Sequence, residues 1–254
     1  MPHFLLIPLE TLAAVLLHQF FQHVVADRKM LLSALLHSTL FRSRRLRVSM
    51  SQILLFQIDG KYLLIKSAKR PSLCPIGGVV RYFDTANKEL RGPINFQPQL
   101  DGDKEKYDLR GFFNGRNFAH FLRWYAAANG REQYALAREI EEEFNEIELP
   151  EITQYVSRLE FIKERLIHEG PKYKEREGYW EYRQFEIYRL EEECDTSKRL
   201  ADFMRSKAGV HPALRLVDTD EICRGQTRDG AFTIAGSCGY LFGDCPTAME
   251  PPRF

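Results

Sequence analysis

The stretch Arg138–Glu139–Ile140–Glu141–Glu142–Glu143 lies inside a segment, residues 133–144, whose apolar periodicity predicts a helix. On such a helix four glutamates share one face, because they are three, four and seven residues apart: Glu139, Glu142, Glu143 and Glu146. Carboxylates crowded on one stripe repel each other, and a hard divalent cation relieves that repulsion through oxygen ligands. A solvated acidic surface produces the same spacing, so the pattern alone leaves a metal site and an ordinary surface helix both open.

The composition is that of a globular protein. The chain has 254 residues, of which 44% are hydrophobic and 28% charged, enough for one large domain or a domain with an accessory segment. The net charge of +1 argues neither for nor against a nucleic-acid partner. The five cysteines are odd in number and form no C-x-x-C pair, which disfavours a zinc site and a disulfide framework. We therefore expect reduced thiols and a cytoplasmic protein.

The first forty residues differ from the rest. Residues 4–25 are mostly apolar, with Glu10 as the single formal charge, and the segment is long enough to span a bilayer. Polar residues nevertheless recur on one helical face, as they do again in residues 29–41. One interpretation is a helical hairpin that packs on the domain or on a second copy of the chain in a homo-oligomer.

A second interpretation of this segment is contact with the inner membrane through residues 1–47. Apolar side chains would insert, while four arginines stay at anionic headgroups: Arg42, Arg44, Arg45 and Arg47. A cleaved signal peptide is disfavoured, because no Lys or Arg precedes the apolar run and no clean small-x-small site follows it.

Beyond residue 44 the pattern alternates between strands and helices, which predicts a mixed α/β fold. We expect a helical segment over 1–44, a domain over 45–245 with a polar, loop-like insertion at about 84–116, and a tail over 246–254. The predicted strands are 47–58, 61–66, 74–81, 154–166, 179–190 and 213–217. The predicted helices are 118–128, 133–144, 196–208 and 219–224.

A glycine pair, Gly77–Gly78, lies in the short predicted strand at 74–81. Glycines there admit close backbone approach by a partner or a ligand. Arg70 and Arg81 flank the pair and are candidate phosphate contacts, although a surface arginine is the simpler interpretation of each. Glu181 and Glu186 are candidate additional metal ligands, for which a solvent-facing strand position is the simpler interpretation.

The order of these features resembles the Nudix hydrolases, whose box reads G-x5-E-x7-R-E-U-x-E-E-x-G-U, with U a bulky apolar residue. Residues 138–143 match the R-E-U-x-E-E half in full. The first half of the box is split. About fifty residues separate Gly78 from the helix, Gly130 stands where the early glutamate is expected, and Glu132 follows two residues later. Asn145 stands in place of the box glycine.

This split form resembles the SMODS-associated NUDIX domains over residues 45–145. The shared motifs are I-D-G-K-Y-L-L-I-K from Ile58, P-I-G-G-V at Pro75, Asp108–Leu109–Arg110 and F-L-R-W at Phe121. The resemblance implies a Nudix-like α/β/α sandwich with a mixed sheet, preceded by an N-terminal helical segment. It also implies an effector of bacterial antiviral defence of the CBASS type, which responds to a cyclic oligonucleotide signal.

The resemblance further implies a metal-dependent pyrophosphohydrolase that acts on a nucleoside diphosphate-linked substrate. The implied catalytic residues are Arg138, Glu139, Glu142 and Glu143, and the three glutamates would bind Mg²⁺ or Mn²⁺. The implied substrate contacts are Gly77, Gly78, Arg70 and Arg81. Two hypotheses of other classes stay open: an inactive nucleotide-sensing module coupled to the N-terminal helices, and a membrane-perturbing protein in which residues 1–41 act and the domain only senses.

Overall fold

The structure is a computed structural model that describes residues 32, 34–66, 71–99, 107–156, 159–191 and 193–243. A six-stranded mixed sheet contains β1 (Arg45–Leu54), β4 (Gly77–Val79), β5 (Gln97–Pro98), β6 (Arg110–Asn114), β7 (Phe161–Lys174) and β8 (Tyr179–Leu190). A smaller sheet contains β2 (Gln57–Ile58), β3 (Lys61–Ile65) and β9 (Leu214–Val217). The helices are α1 (Asn87–Arg91), α2 (Phe118–Ala126), α3 (Ala135–Glu146), α4 (Thr153–Val156), α5 (Asp195–Lys207) and α6 (Thr219–Arg224).

Strand β1 is the centre of the large sheet, whose order is β5-β6-β1-β8-β7. Residues 45–49 of β1 pair antiparallel with β6, and residues 51–53 pair antiparallel with β4. On its other edge, residues 46–54 run parallel to residues 180–188 of β8. A strand paired on both edges and covered by other elements is nearly buried throughout, as β1 is. The predicted mixed α/β fold is confirmed.

Helices close the core around this sheet. Helix α3 contributes Leu136, Ile140 and Phe144 to a cluster that also contains Leu54 and Leu200. Their spacing of four residues is the apolar stripe of an amphipathic helix, and it turns the glutamates of α3 away from this cluster. Helix α2 contributes its aromatic side chains to a second cluster under the other half of β1.

Two predicted segments differ from the structure. The insertion at 84–116 is not a loop, because it contains a 3₁₀ helix at Asp84–Ala86, helix α1 and strands β5 and β6. Its apolar residues Leu90 and Ile94 are fully buried. Their irregular spacing matches neither the helix nor the strand period, so the pattern did not indicate these elements. The strand predicted from residue 154 begins only at residue 161, and the residues before it form α4.

The described end of the N-terminal segment is helical over residues 34–39. Ala34 and His37 are buried, and the His37 ring lies 5.0 Å from the Trp180 ring between centroids. Leu35 and Leu40 are exposed, so an apolar residue, Ala34, and a polar one, His37, both face the domain here while leucines face outward. His37 can be buried here because its ring packs against the Trp180 ring.

The described part of the chain contains no helix long and apolar enough to cross a membrane. Residues 4–25, for which a hairpin or a membrane segment was predicted, lie outside the described residues.

One buried amide, that of Gln52, joins helix α3 to the sheet. Its Nε2 donates to the carbonyl of Gln133 at 2.8 Å and to Oε2 of Glu186 at 2.9 Å. Its Oε1 accepts the backbone N–H of Ala135 at 2.6 Å, which is one of the unpaired donors at a helix start. No side chain of the residue preceding α3 caps it, so Gln52 supplies that function from the neighbouring strand.

We predict that Gln52→Leu lowers the free energy of unfolding by about 2 kcal/mol, because it leaves a buried N–H and a buried carboxylate with fewer partners. Urea unfolding followed by circular dichroism measures this change. The matched control is Gln57→Leu, whose side chain is exposed on β2. Equal unfolding midpoints for both variants would show that Gln52 does not anchor the helix.

Candidate active site

Helix α3 lies against β4, and the glycines of β4 permit this. A Cβ on Gly77 would lie 2.2 Å from the carbonyl oxygen of Gln52, and the backbone of Gly77 has φ +140. A Cβ on Gly78 would lie 2.2 Å from a carboxylate oxygen of Glu139. A Cβ on Gly77 would meet fixed backbone in a strained conformation, so this position requires glycine, whereas a Cβ on Gly78 would force the end of the flexible Glu139 side chain to move. The close approach expected at the glycine pair is therefore made by the protein's own helix α3 and strand β1. A contact of these glycines with substrate stays a prediction.

Two hydrogen bonds fix the helix on this strand. The N–H of Gly77 donates to Oε2 of Glu143 at 3.1 Å, and Nη2 of Arg138 donates to the carbonyl of Val79 at 2.9 Å. Glu143 is buried, so its carboxylate is held at the strand and does not project into solvent. The box glutamates consequently have different environments although they share one helix face.

The guanidinium of Arg138 is saturated with hydrogen bonds. Glu132 accepts hydrogen bonds from Nε at 2.9 Å and from Nη2 at 3.0 Å, and the two bonds together form a bidentate ion pair. Nη1 reaches Glu139 at 2.6 Å and Glu142 at 3.3 Å. Glu132, which stands two positions after the expected box glutamate in the sequence, therefore contacts the box arginine in the folded chain.

Arg81 also contacts Glu132 and Glu142, but its guanidinium makes fewer hydrogen bonds than that of Arg138. Its Nη1 lies 3.1 Å from Glu142, its Nε lies 3.4 Å from Asp108, and its backbone N–H donates to Glu132 at 2.9 Å. Within the described residues, Nη2 of Arg81 has no hydrogen-bond partner, and 27% of the side chain is exposed. Of the two arginines, Arg81 is the one that can still donate to a ligand.

These contacts define what we call the charged cluster: Arg81, Asp108, Glu132, Arg138, Glu139 and Glu142. The sequence predicted Arg81, Arg138, Glu139 and Glu142 as site residues, and the structure brings these four together. Asp108 and Glu132 were not among the predicted site residues. Their signals were the Asp108–Leu109–Arg110 motif and a glutamate close to the expected box position.

Three predicted site residues remain: Arg70, Glu181 and Glu186. Arg70 is outside the described residues. Glu181 pairs with Arg47 at 2.6 Å and with Lys174 at 3.3 Å. Glu186 accepts from Gln52 and Lys163 and is 4% exposed, so the solvent-facing interpretation of this strand position is wrong. Its burial is possible because each of its oxygens has a donor.

Burial shapes the ionisation of the cluster. It raises the pKa of Glu139 above its ordinary value of 4.5, against the opposing effect of Arg138. The neighbouring carboxylates of Glu142 and Asp108 raise this pKa further. Burial alone would lower the pKa of Arg138, but its ion pairs with Glu132 and Glu139 outweigh that effect and raise it. Arg138 therefore stays charged, while Glu139 can hold a proton more readily than a free glutamate.

The cluster is rich in hard oxygen donors. It holds four carboxylates against two guanidinium groups, an excess of two negative charges. Such a set suits Mg²⁺ or Mn²⁺ in chemistry and charge. In the conformation described, no three His, Cys, Asp or Glu residues of the described chain are gathered as a metal would need. Nη1 of Arg138 lies between Glu139 and Glu142 and is the counter-ion of both.

The raised pKa of Glu139 predicts a pH effect on stability. A carboxylate whose pKa is higher in the folded state stabilises the fold most at low pH, and this contribution is lost as pH rises through the folded-state value. We therefore expect Glu139→Gln to become more stable relative to wild type as pH rises from 4.5 towards neutral, measured by urea unfolding at each pH. Glu141→Gln gives the baseline for removing a glutamate of α3 outside the cluster. A stability difference that stays constant or shrinks over this range would contradict the prediction.

Comparison with known proteins agrees with this geometry. A family model described as the SMODS-associated NUDIX domain matches residues 45–242. No curated protein and no solved structure matches the chain significantly. The matched region contains the whole six-stranded sheet, helix α3 and every residue of the charged cluster. The chain thus belongs to the family of SMODS-associated NUDIX domains.

Proposed function

We propose that this protein is a metal-dependent Nudix-type hydrolase of a nucleoside diphosphate-linked substrate. The observation that carries the proposal is the charged cluster, in which an excess of carboxylates adjoins an arginine whose Nη2 has no hydrogen-bond partner within the described residues. An anionic diphosphate would be repelled by this excess of negative charge unless a divalent cation entered with it. The same carboxylates are oxygen ligands for that cation.

The roles of the side chains follow from their contacts. Arg81 would donate its free Nη2 group to a phosphate oxygen of the substrate. Arg138 would position Glu139 and Glu142, since it already contacts both. Glu139, with its raised pKa, would accept a proton from the attacking water.

The residues that would hold Mg²⁺ or Mn²⁺ are Glu139, Glu142 and Glu143. When bound, the cation supplies charge neutralisation for the diphosphate and lowers the pKa of a water molecule bound to it.

A second candidate function is a nucleotide-sensing module without turnover. One observation favours it: Arg138 already neutralises Glu139 and Glu142, and Glu143 is bonded to the strand, so the carboxylates are stable without a metal. In that case a nucleotide would bind at Arg81, and its binding would be transmitted to the N-terminal helices. Family membership supports, for either candidate, the further proposal of an effector in bacterial antiviral defence that responds to a cyclic oligonucleotide.

Turnover separates the two candidates. The purified full chain is incubated with nucleoside diphosphate-linked compounds, NAD and nucleotides, with Mg²⁺ or Mn²⁺ and with or without cyclic dinucleotides. We expect cleavage that requires the divalent cation and falls by at least about 100-fold in Glu142→Gln/Glu143→Gln. The matched control is Glu141→Gln/Glu151→Gln, two substitutions of the same kind outside the cluster. Ligand binding without turnover under every condition would move the assignment to the sensing module.

The role of Arg81 is tested by binding rather than by turnover. We expect Arg81→Ala to raise the Kd for inorganic pyrophosphate with Mg²⁺ about 10-fold in calorimetry, because one charge-assisted donor is lost. Arg123→Ala, which removes an exposed arginine of helix α2, is the control. If both variants bind like wild type, Arg81 does not contact the phosphate.

A further inference from the structure

Phe83 is a large aromatic side chain left open beside the charged cluster. It is 51% exposed. An exposed apolar ring by itself is common on protein surfaces. The position of Phe83 relative to Arg81 distinguishes it from other exposed rings.

The backbone around Phe83 is extended, with φ −97 and ψ 162 at Phe83 itself. In extended chain, side chains alternate between two sides. Val80 and Tyr82 point into the core with exposures of 0% and 2%, so Arg81 and Phe83 share the outer side. Two residues of extended chain rise by roughly 6.6 Å, so the Arg81 and Phe83 side chains start from neighbouring positions on that side.

The neighbouring segment leaves the ring uncovered. Tyr82 pairs with Arg131 in an antiparallel bridge, and the N–H of Phe83 donates to the carbonyl of Gly130 at 2.8 Å. Gly130 has φ +75 and a Cβ there would lie 2.9 Å from Cβ of Ala86, so this position favours glycine. The residue beside Phe83 therefore has no side chain that could lie over the ring.

We propose that Phe83 is the base-stacking residue of the site, and that the ligand is a nucleotide whose phosphate lies at Arg81 and whose base lies on the Phe83 ring. This rests on the proposed nucleotide function of the charged cluster, and it holds for a hydrolase and for a sensing module alike. Stacking on an aromatic ring tolerates every base, because each base has a π face. Phe83 therefore supplies affinity for nucleotides over free diphosphate without selecting one base.

The test compares two ligands that differ only in the nucleoside. Binding of α,β-methylene-ADP, which resists hydrolysis, and of methylenediphosphonate is measured by calorimetry with Mg²⁺ for wild type, Phe83→Ala and Phe83→Trp. We expect Phe83→Ala to weaken α,β-methylene-ADP binding about 10-fold and to leave methylenediphosphonate binding unchanged. Phe83→Trp should retain nucleotide affinity, and its added fluorescence should be quenched by the nucleotide only. Tyr173→Ala, which removes another half-exposed aromatic on β7, is the control.

Each failure has its own signature. Unchanged binding of both ligands by Phe83→Ala would remove Phe83 from the site and leave the proposed function standing. Weakened binding of both ligands would show that the substitution disturbs the cluster, which also overturns the stacking role. If wild type binds neither ligand, the proposed nucleotide function fails, and the inference fails with it. Thermal unfolding of each variant checks that the fold is intact.

Discussion

The guanidinium of Arg138 ties three parts of the molecule together. It reaches the segment before helix α3 through Glu132, the helix itself through Glu139, and strand β4 through the carbonyl of Val79. The planar fork of an arginine can make these bonds at once, and a lysine could not. Gly78 leaves room for the Glu139 carboxylate that this tie holds against β4, while Gly77 is required by the neighbouring carbonyl of Gln52 on β1.

Local patterns in the sequence were sufficient for most of the elements and for four of the six residues of the charged cluster. The helix that carries Glu139 and Glu142 has strong apolar periodicity, so its existence and its row of carboxylates could be predicted. Asp108 could not, because it meets Arg81 from 27 residues away in the chain, and neither could the bond from the Arg81 N–H to Glu132, which spans 51 residues. The extended residues around Arg81 bring them together through isolated bridges to Asp108 and, one residue on, to Arg131.

The two arginines of the charged cluster have different roles. Arg138 is fully bonded and buried enough to be a fixed part of the scaffold, whereas Arg81 is partly exposed and its Nη2 has no hydrogen-bond partner among the described residues. This division leaves Arg138 as the counter-ion of Glu139 and Glu142 in the absence of ligand, without removing the group that would meet an anion. Both candidate functions need this property, since binding precedes either signalling or hydrolysis.

The parallel pairing of β1 with β8 also sets the timing of folding. The hydrogen bond from Gln52 to Glu186 joins residues 134 positions apart. A ribosome needs on the order of ten seconds to synthesise that stretch. During this interval the nascent chain contains β1 without its partner strand, and the buried edge of β1 is open to other chains. The bond from Gln52 to Glu186 can form only after β8 has been synthesised, whereas the residues that Gln52 contacts at the start of helix α3 are synthesised before it.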